Sequence, residues 1–133
     1  MIQVKTKLGQ SEIHGIGLFA DQFISKGTVT WKYHPEFDRS FSEKEVEEMS
    51  EPARKQLFHY AYYDKKLKEY VLCFDDQRFI NHSRNLKKIN IRTTPDMDVA
   101  ARDIDLGEEL LCDYNKFDDT YFKRLNIKEN ELV

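Results

Sequence analysis

The segments RFINHS, residues 78–83, and GEELLCDY, residues 107–114, set the organisation of this 133-residue chain. In the first segment an Asn-His-Ser run follows an apolar pair directly, and in the second an apolar run ends in Asp-Tyr. A polar group that is buried without a hydrogen-bond partner costs about 1–3 kcal/mol. The two segments therefore either satisfy each other's polar groups or present them to a ligand.

The composition predicts one folded domain over residues 1–133. The chain is 40% hydrophobic and 34% charged, and a chain of its length can bury a core without disulfides or metals. The net charge of −3 argues against a general nucleic-acid binder, which is usually basic. It is compatible with a basic substrate, such as a protein tail that carries lysine. We therefore expect a protein partner and no direct nucleic-acid partner.

The sequence also predicts a compartment. It has no apolar run of membrane-spanning length and no secretory pattern at its start. Its two cysteines are Cys73 and Cys112. We expect no membrane association and a reducing, intracellular compartment, cytoplasmic in a bacterium or nuclear if the substrate is a histone. No oligomeric state follows from these patterns.

Hydrophobic periodicity predicts short strands separated by turns. Weak alternation indicates a first strand over residues 2–7, with a turn at Gly9-Gln10. The β-branched and aromatic runs indicate further strands at residues 28–33, 62–63, 69–72, 90–93, 99–101 and 109–112, with a turn at Pro95-Asp96. The fold class is therefore mostly β with a few helices.

Helix signals are confined to the middle and the end of the chain. Ser42 and Glu45 have the spacing of a capping box, and Ser50-Glu51-Pro52 restarts a helix with proline in its first turn. These signals define a helical insert at about 42–61. The apolar residues of the tail, about 115–133, recur at helical spacing and would let it fold back as a cap.

Four interpretations of the polar segments remain open on the residues alone. A zinc site needs three or four ligands at workable spacing, but the four histidines and two cysteines form no CxxC or HxxxH pair. Cys112 and His82 could form a nucleophile pair, although an apolar strand pattern favours an inert thiol. The polar groups could also be purely structural. The fourth interpretation comes from the order of motifs along the chain.

That order resembles the SET domain of protein lysine methyltransferases. The resemblance covers a core of about residues 11–114 and rests on GIGLF at 15–19, RFINHS at 78–83, Ile89-Asn90, ARDI at 101–104 and GEELLCDY at 107–114. It implies a β-clip-like fold of small curved sheets in which the C-terminal segment threads under a preceding loop, the pseudoknot. It would place the Asn-His-Ser and Asp-Tyr segments side by side.

The resemblance implies transfer of a methyl group from S-adenosyl-L-methionine to a lysine ε-amine of a protein such as a histone. No metal is implied. The amine must lose its proton although free lysine has a pKa near 10.4, and a narrow apolar channel lowers that pKa. Alignment of the reacting atoms can supply about 7–11 kcal/mol.

The resemblance also implies roles for individual residues. Tyr114 is the catalytic tyrosine. The cofactor-binding residues are His14, Gly15, Ile16, Gly17, Asn81, His82 and Phe117. The lysine channel is formed by Tyr33, Ile80, Cys112 and Tyr114.

The chain departs from the family pattern in several places. The stretch after Ser83 is longer than usual and lacks a proline, so Asn90 is assigned as the equivalent asparagine. Cys112 stands where a larger aromatic is common, which predicts room for more than one methyl group. Zinc-binding flanks are absent, so the tail or a partner must close the lysine channel. The alternative function is a catalytically silent SET-like module that binds a protein tail or the cofactor.

Overall fold

The computed structural model describes residues 1–94 and 96–129 of the chain. Its ten strands are β1 (Thr6–Gln10), β2 (Ile16–Ala20), β3 (Val29–Lys32), β4 (Arg39–Ser42), β5 (Tyr62–Asp64), β6 (Glu69–Leu72), β7 (Asn81–His82), β8 (Ile91–Thr93), β9 (Met97–Ala100) and β10 (Leu111–Cys112). Its α-helices are α1 (Glu43–Glu47), α2 (Glu51–Tyr60) and α3 (Tyr121–Arg124), and 3₁₀ turns cover Asp76–Phe79 and Tyr114–Lys116. The mostly-β prediction with a few helices is confirmed.

The strands form four small sheets rather than one large one. Strands β1 and β2 make an antiparallel pair, and β7 and β10 make a parallel pair. Two three-stranded antiparallel sheets have the orders β3-β9-β8 and β4-β6-β5. No helix in the described part of the chain is long and apolar enough to cross a membrane.

The first strand lies further along the chain than the alternation predicted. It covers Thr6–Gln10 and pairs with β2, while Ile2 forms only an isolated bridge to Trp31. Gly9 belongs to the strand and not to a turn, because the Phe19 ring packs against its backbone. A Cβ at Gly9 would lie 3.1 Å from that ring. Glycine inside a strand often marks such a close approach, which alternation alone does not detect.

Most of the remaining element predictions are confirmed, but strands β2, β4 and β7 were not among them. Ser42 Oγ accepts a hydrogen bond from the Glu45 N–H at 3.1 Å, and Glu45 Oε2 accepts one from the Ser42 N–H at 2.9 Å, so the capping box is present. Strand β4, which precedes it, was not predicted because its residues are mostly polar, and it is held by pairing with β6. The predicted turn at Pro95-Asp96 falls partly outside the described residues, since Pro95 is not among them.

Asn90 holds the threaded segment in place from one side. Its side-chain amide donates to the Glu109 carbonyl at 2.8 Å, and its side-chain oxygen accepts from the Leu111 N–H at 2.8 Å. Its own N–H donates to the Leu111 carbonyl at 3.1 Å. Strand β10 therefore passes between β7 on one side and Asn90 on the other. This is the threading that the resemblance implied.

The main core lies behind this crossing. Its buried side chains are Leu18, Ala20, Ile24, Ile91, Ala100, Ile104, Leu110 and Cys112. They come from β2, β8, β9, β10 and the segments between them, so residues far apart in sequence share one core. A smaller cluster of Val46, Leu57 and Ala61 attaches the two central helices.

The hydrogen bonds of a buried ion pair within the tail anchor the tail to the end of α2 and to β5. Arg124 Nη1 lies 2.5 Å from Asp118 Oδ2, and the two side chains are 7% and 1% exposed. Arg124 also donates to the carbonyls of Phe58 and Ala61, and Asp118 accepts from the Tyr63 N–H at 3.0 Å. Breaking a buried, multiply bonded pair is costly because the remaining charge lacks a partner. The tail up to α3 therefore folds back as the cap that helical spacing predicted, while residues 130–133 lie outside the described residues.

Replacing Asn90 with alanine should destabilise the protein by about 2–4 kcal/mol, because the Leu111 N–H and the Glu109 carbonyl both lose buried partners. Urea denaturation followed by circular dichroism measures this change. Asn85→Ala is the matched control, since the Asn85 side chain makes an exposed turn contact to the Lys87 N–H. Its effect should stay below about 1 kcal/mol. Equal effects of the two substitutions would contradict the proposed bracing role of Asn90.

Candidate active site

Two cavities meet in the wall formed by Tyr114 and Ile80. The larger has a volume of about 280 Å³ and the smaller about 250 Å³. Both cavities are lined by His59, Tyr60, Arg78, Ile80, Tyr114 and Tyr121. The site is therefore a pair of adjoining pockets that share lining residues, among them Tyr114 and Ile80.

The parallel pairing of β7 with β10 builds this wall. Leu111 lies opposite Asn81 and Cys112 opposite His82, so the two chains leave the sheet together. Beyond the strand ends, the Tyr114 hydroxyl donates to the Ile80 carbonyl at 2.5 Å. The sequence-based expectation that the two polar segments satisfy each other is confirmed.

The Tyr114 phenol is neutral at physiological pH. Burial raises its pKa well above the usual range, and the nearby Cys112, Tyr121 and Glu109 raise it further. A neutral phenol can donate a hydrogen bond, and its oxygen retains acceptor capacity. Tyr114 is thus suited to positioning and polar contact, and it is not available as a phenolate base.

Asn81 ties the smaller cavity to the glycine-rich turn. Its side-chain amide approaches the carbonyls of His14 and Ile16 at 3.0 and 3.1 Å, and Glu109 Oε1 at 3.0 Å. Gly15 has a φ of +50°, a conformation that favours glycine, and this lets the turn bring both carbonyls to the same amide. His14, Gly15, Ile16, Asn81 and His82 all line the smaller cavity.

Glu109 supports this turn from behind, a role that the sequence analysis did not assign. Its Oε2 accepts from the Ser11 hydroxyl at 3.0 Å, while its Oε1 accepts from Asn81. A Cβ at Gly17 would lie 2.2 Å from Glu109 Oε1. Gly17 is therefore not in the lining but behind it, where its missing side chain makes room for the carboxylate. The Gly-x-Gly pattern alone does not show which of its two glycines lines a cavity and which one lies behind the lining.

His82 is held by both ring nitrogens. The Tyr114 N–H donates to its Nδ1 at 3.0 Å, and Glu129 Oε1 lies 2.8 Å from its Nε2. Nδ1 must therefore be unprotonated, and Nε2 carries the hydrogen that Glu129 accepts. The tail residue Glu129 thereby fixes the ring that supports the Tyr114 backbone.

Aromatic rings form a continuous wall along the larger cavity. Trp31 packs edge-on against Tyr62 at 6.4 Å, Tyr62 against Phe117 at 5.8 Å, and Phe117 against Tyr114 at 5.8 Å, measured between ring centroids. Tyr121 also lines this cavity and stands 4.7 Å from Tyr114. Such rings favour an aliphatic stem or a cation placed against their faces.

Besides Gly17, two predicted site residues lie elsewhere than their sequence-based roles required. Tyr33 lines neither cavity; β3 ends at Lys32, so the alternation that directs Trp31 inward does not extend to it. Phe117 lines the larger cavity with Cys112, and not the smaller cavity with Asn81. The aromatic lining of the larger cavity that sequence reasoning missed is Trp31, Tyr60, Tyr62 and Tyr121.

The two cysteines are buried, free thiols. Burial raises the pKa of Cys112 well above its usual range, and its thiol is directed to the Asn81 carbonyl at 3.9 Å. With both His82 nitrogens engaged, this arrangement does not activate Cys112 as a nucleophile. Within residues 1–94 and 96–129, no three side chains of His, Cys, Asp or Glu are grouped as metal ligands.

Comparison with known proteins identifies a curated relative of this chain. The chain is 32% identical over 116 residues to "Histone-lysine N-methyltransferase trr" of Drosophila melanogaster, an alignment that covers 84% of this chain and 5% of that protein. The chain thus spans a small part of the curated relative that it matches.

Solved structures share the fold. The Chaetomium thermophilum Polycomb Repressive Complex 2 matches with a TM-score of 0.66 and 22% identity, over 92% of this chain and 17% of that one. A structure described as ctPRC2 in an autoinhibited conformation bound to S-adenosylmethionine matches with a TM-score of 0.64 and 22% identity, over 92% of this chain and 16% of that one.

A family model with the description "SET domain" matches residues 15–115. That range runs from the glycine turn to the residue after Tyr114, so it contains both polar segments and the crossing between them. The chain belongs to the SET domain family.

Proposed function

We propose that this protein is an S-adenosylmethionine-dependent protein-lysine N-methyltransferase that modifies a histone or another basic protein. The observation that carries the proposal is the pair of cavities that share a wall at Tyr114 and Ile80. A methyl transfer between two molecules needs a donor and an acceptor that reach each other through a narrow opening. A site with one pocket on each side of a hydroxyl and a carbonyl supplies that geometry.

The residues of the smaller cavity fit the cofactor. The guanidinium of Arg78 suits its carboxylate, while backbone carbonyls of the glycine turn and the Asn81 side chain offer polar contacts to its amino-acid end. The rings of Tyr60 and Phe79 offer flat apolar surface for a nucleobase. S-adenosylmethionine, when bound, supplies a methyl group activated by a positively charged sulfur. In this proposal Asn81 and His82 hold the cofactor directly or through the segment they fix.

The larger cavity is proposed as the lysine channel. Its aromatic wall from Trp31 to Tyr114 excludes water around an aliphatic stem, and desolvation lowers the pKa of an amine. Tyr62 and Trp31 take the role that the resemblance gave to Tyr33, and Phe117 joins this wall rather than the cofactor site. Residues of the tail, including Phe117 and Tyr121, complete the wall, which supports closure of the channel by the tail.

Tyr114 and Ile80 act at the junction. The Tyr114 hydroxyl and the Ile80 carbonyl present two oxygens there, which can hold a polarised methyl group by weak C–H···O contacts. The phenol stays protonated, so its contribution is orientation and polar contact rather than proton removal.

Tyr114→Phe should lower kcat by about 100-fold, because the polar contact at the junction is lost. The dissociation constant of S-adenosylmethionine should change by less than about threefold, since the cavity that binds it keeps its shape. Transfer of labelled methyl to histone H3 tail peptide and calorimetry with the cofactor measure the two quantities.

Tyr63→Phe is the matched control for this substitution, because the Tyr63 phenol lies outside both cavities and contacts the exposed Glu43. Its activity should equal that of the native protein. A fully active Tyr114→Phe protein would contradict the assignment. Cofactor binding by the native protein without transfer to any lysine substrate would favour the silent binding module instead.

Glu109→Gln should weaken S-adenosylmethionine binding by about tenfold or more, because a charged acceptor of the Asn81 amide is lost and the glycine turn loosens. Glu108→Gln is the neighbouring control, since Glu108 pairs with Arg102 away from both cavities. Calorimetry of both variants gives the comparison. An unchanged affinity in Glu109→Gln would show that the turn does not depend on this carboxylate.

The small side chain of Cys112 in the wall of the larger cavity supports addition of more than one methyl group. Mass spectrometry of the histone peptide after exhaustive reaction should therefore show dimethylated or trimethylated lysine. Exclusive monomethylation would contradict this expectation.

A further inference from the structure

The larger cavity contains a buried carboxylate, Asp98, to which the proposed methyl transfer gives no role. Asp98 is 4% exposed, and its Oδ1 has no hydrogen-bond partner. Its Oδ2 accepts from the Gln77 amide at 2.6 Å. A buried carboxylate with one oxygen unpaired is expensive to maintain, so a polar partner is expected at that oxygen.

Two further unpaired polar atoms lie beside it in the same sheet. In the β3-β9-β8 sheet, Asp98 is directly opposite Trp31 on one side and Thr93 on the other. Trp31 Nε1 and Thr93 Oγ1 are also buried without a hydrogen-bond partner. Residues opposite each other on neighbouring strands share one face. The three side chains therefore form a polar row across the sheet, and all three line the larger cavity.

The polar row is next to the junction of the two cavities. Burial is the main cause of the raised pKa of Cys112, and the Asp98 carboxylate makes the largest electrostatic contribution to it. Burial is also the main cause of the raised pKa of Tyr114, and Cys112 makes the largest electrostatic contribution there. Cys112 has a small side chain and is not part of the polar row. A group that enters along the aromatic wall reaches Tyr114 and Asp98 within the same cavity.

We propose that Asp98 binds the ε-ammonium of the substrate lysine through Oδ1 and accepts its proton before methyl transfer. This inference rests on the proposed function and deepens it. In the step, one N–H bond of the ammonium breaks, one O–H bond forms at Asp98, and the electron pair of the broken bond stays on nitrogen as the lone pair. The proton leaves Asp98 for water after the product departs, which restores the carboxylate.

The environment of Asp98 suits this exchange. Burial raises its pKa to about 6, while the Gln77 amide and the nearby Thr93 hydroxyl oppose the shift. The Thr93 hydroxyl is close enough to stabilise the ionised Asp98 carboxylate, although the two groups do not form a hydrogen bond. At neutral pH Asp98 is therefore mostly ionised, and yet it is a stronger base than an exposed aspartate.

The two thiols near Asp98 are neutral. Cys73 follows the end of β6 and Cys112 lies in β10, and burial raises the pKa of both thiols well above their usual range. The remaining ionisable side chains of the cavity, apart from its tyrosines, are His59, Asp64, Lys65, Lys66, Arg78, Lys116 and Asp118. Asp118 is already paired with Arg124, which leaves Asp98 as the buried carboxylate of the cavity with a free oxygen among the described residues.

The first test measures binding without catalysis. n-Butylammonium copies the end of a lysine side chain, and n-butanol is its uncharged counterpart. In the native protein, n-butylammonium should bind and lower the pKa of Asp98 followed by carboxyl ¹³C NMR, while n-butanol should leave that pKa unchanged. Asp98→Asn keeps an acceptor for Gln77 and should bind n-butylammonium at least tenfold more weakly. Equal effects of the two ligands on the native protein would overturn the proposal.

The second test is the pH dependence of kcat/KM with histone H3 tail peptide. In the native protein kcat/KM should rise through the pKa of Asp98 and level off above about pH 7, because Asp98 accepts the proton of a lysine that enters charged. In Asp98→Asn only the uncharged lysine reacts, so kcat/KM should rise about tenfold per pH unit from about pH 7 to about pH 9. At about pH 7.5, kcat/KM of Asp98→Asn should be about 100-fold lower than that of the native protein.

Asp38→Asn is the control, because Asp38 is an equally buried carboxylate that lies outside both cavities and caps the backbone N–H groups of His34 and Phe74. Its pH profile should have the native shape, whatever its stability. A native-shaped profile in Asp98→Asn would overturn the proposal and leave the methyltransferase function intact. No transfer by the native protein would refute the proposed function, and the binding test would then judge Asp98 alone.

Discussion

The parallel pairing of Asn81-His82 with Leu111-Cys112 is the constraint on which the rest of the structure depends. Two short strands are weak by themselves, but here each is followed by polar groups that bond to the other chain. The Tyr114 hydroxyl reaches the Ile80 carbonyl, and the Tyr114 N–H reaches His82. Because these groups are partly buried, any separation of the strands would leave several of them without protein partners. The crossing is therefore held by the same atoms that form the wall between the two cavities.

This dependence joins stability to function. Asn90 supports the threaded strand β10 from one side, and β7 supports it from the other. Tyr114, which follows β10, is therefore positioned by a deeply buried part of the molecule. The tail adds a second set of supports, since Arg124 anchors it to α2 and Glu129 holds the His82 ring. The aromatic wall then spans both parts, from Trp31 in the central sheet to Phe117 in the tail. A site assembled from such distant segments is rigid only when all of them are folded.

The crossing was predicted from the resemblance of the motif order to one family. The need of polar groups next to apolar strands for partners left open whether the two segments bond each other or a ligand. The sequence predicted α1 because the Ser42 and Glu45 capping box is a local interaction. It did not predict the start of β1, since the Phe19 ring that covers Gly9 comes from another strand. It also missed Glu109, Trp31, Tyr62 and Asp98 in the site. Their roles depend on which strands lie opposite each other, and neither periodicity nor motif spacing contains that information.

The most direct measurement is a crystal structure of the protein with S-adenosylhomocysteine and a lysine-containing histone H3 tail peptide. We expect the sulfur to lie in the cavity lined by Asn81 and His14, and the lysine side chain in the cavity lined by Trp31 and Phe117. The sulfur and the lysine nitrogen should face each other across the Tyr114 hydroxyl and the Ile80 carbonyl. Both ligands in one cavity, or a lysine bound away from Tyr114, would contradict the two-sided arrangement.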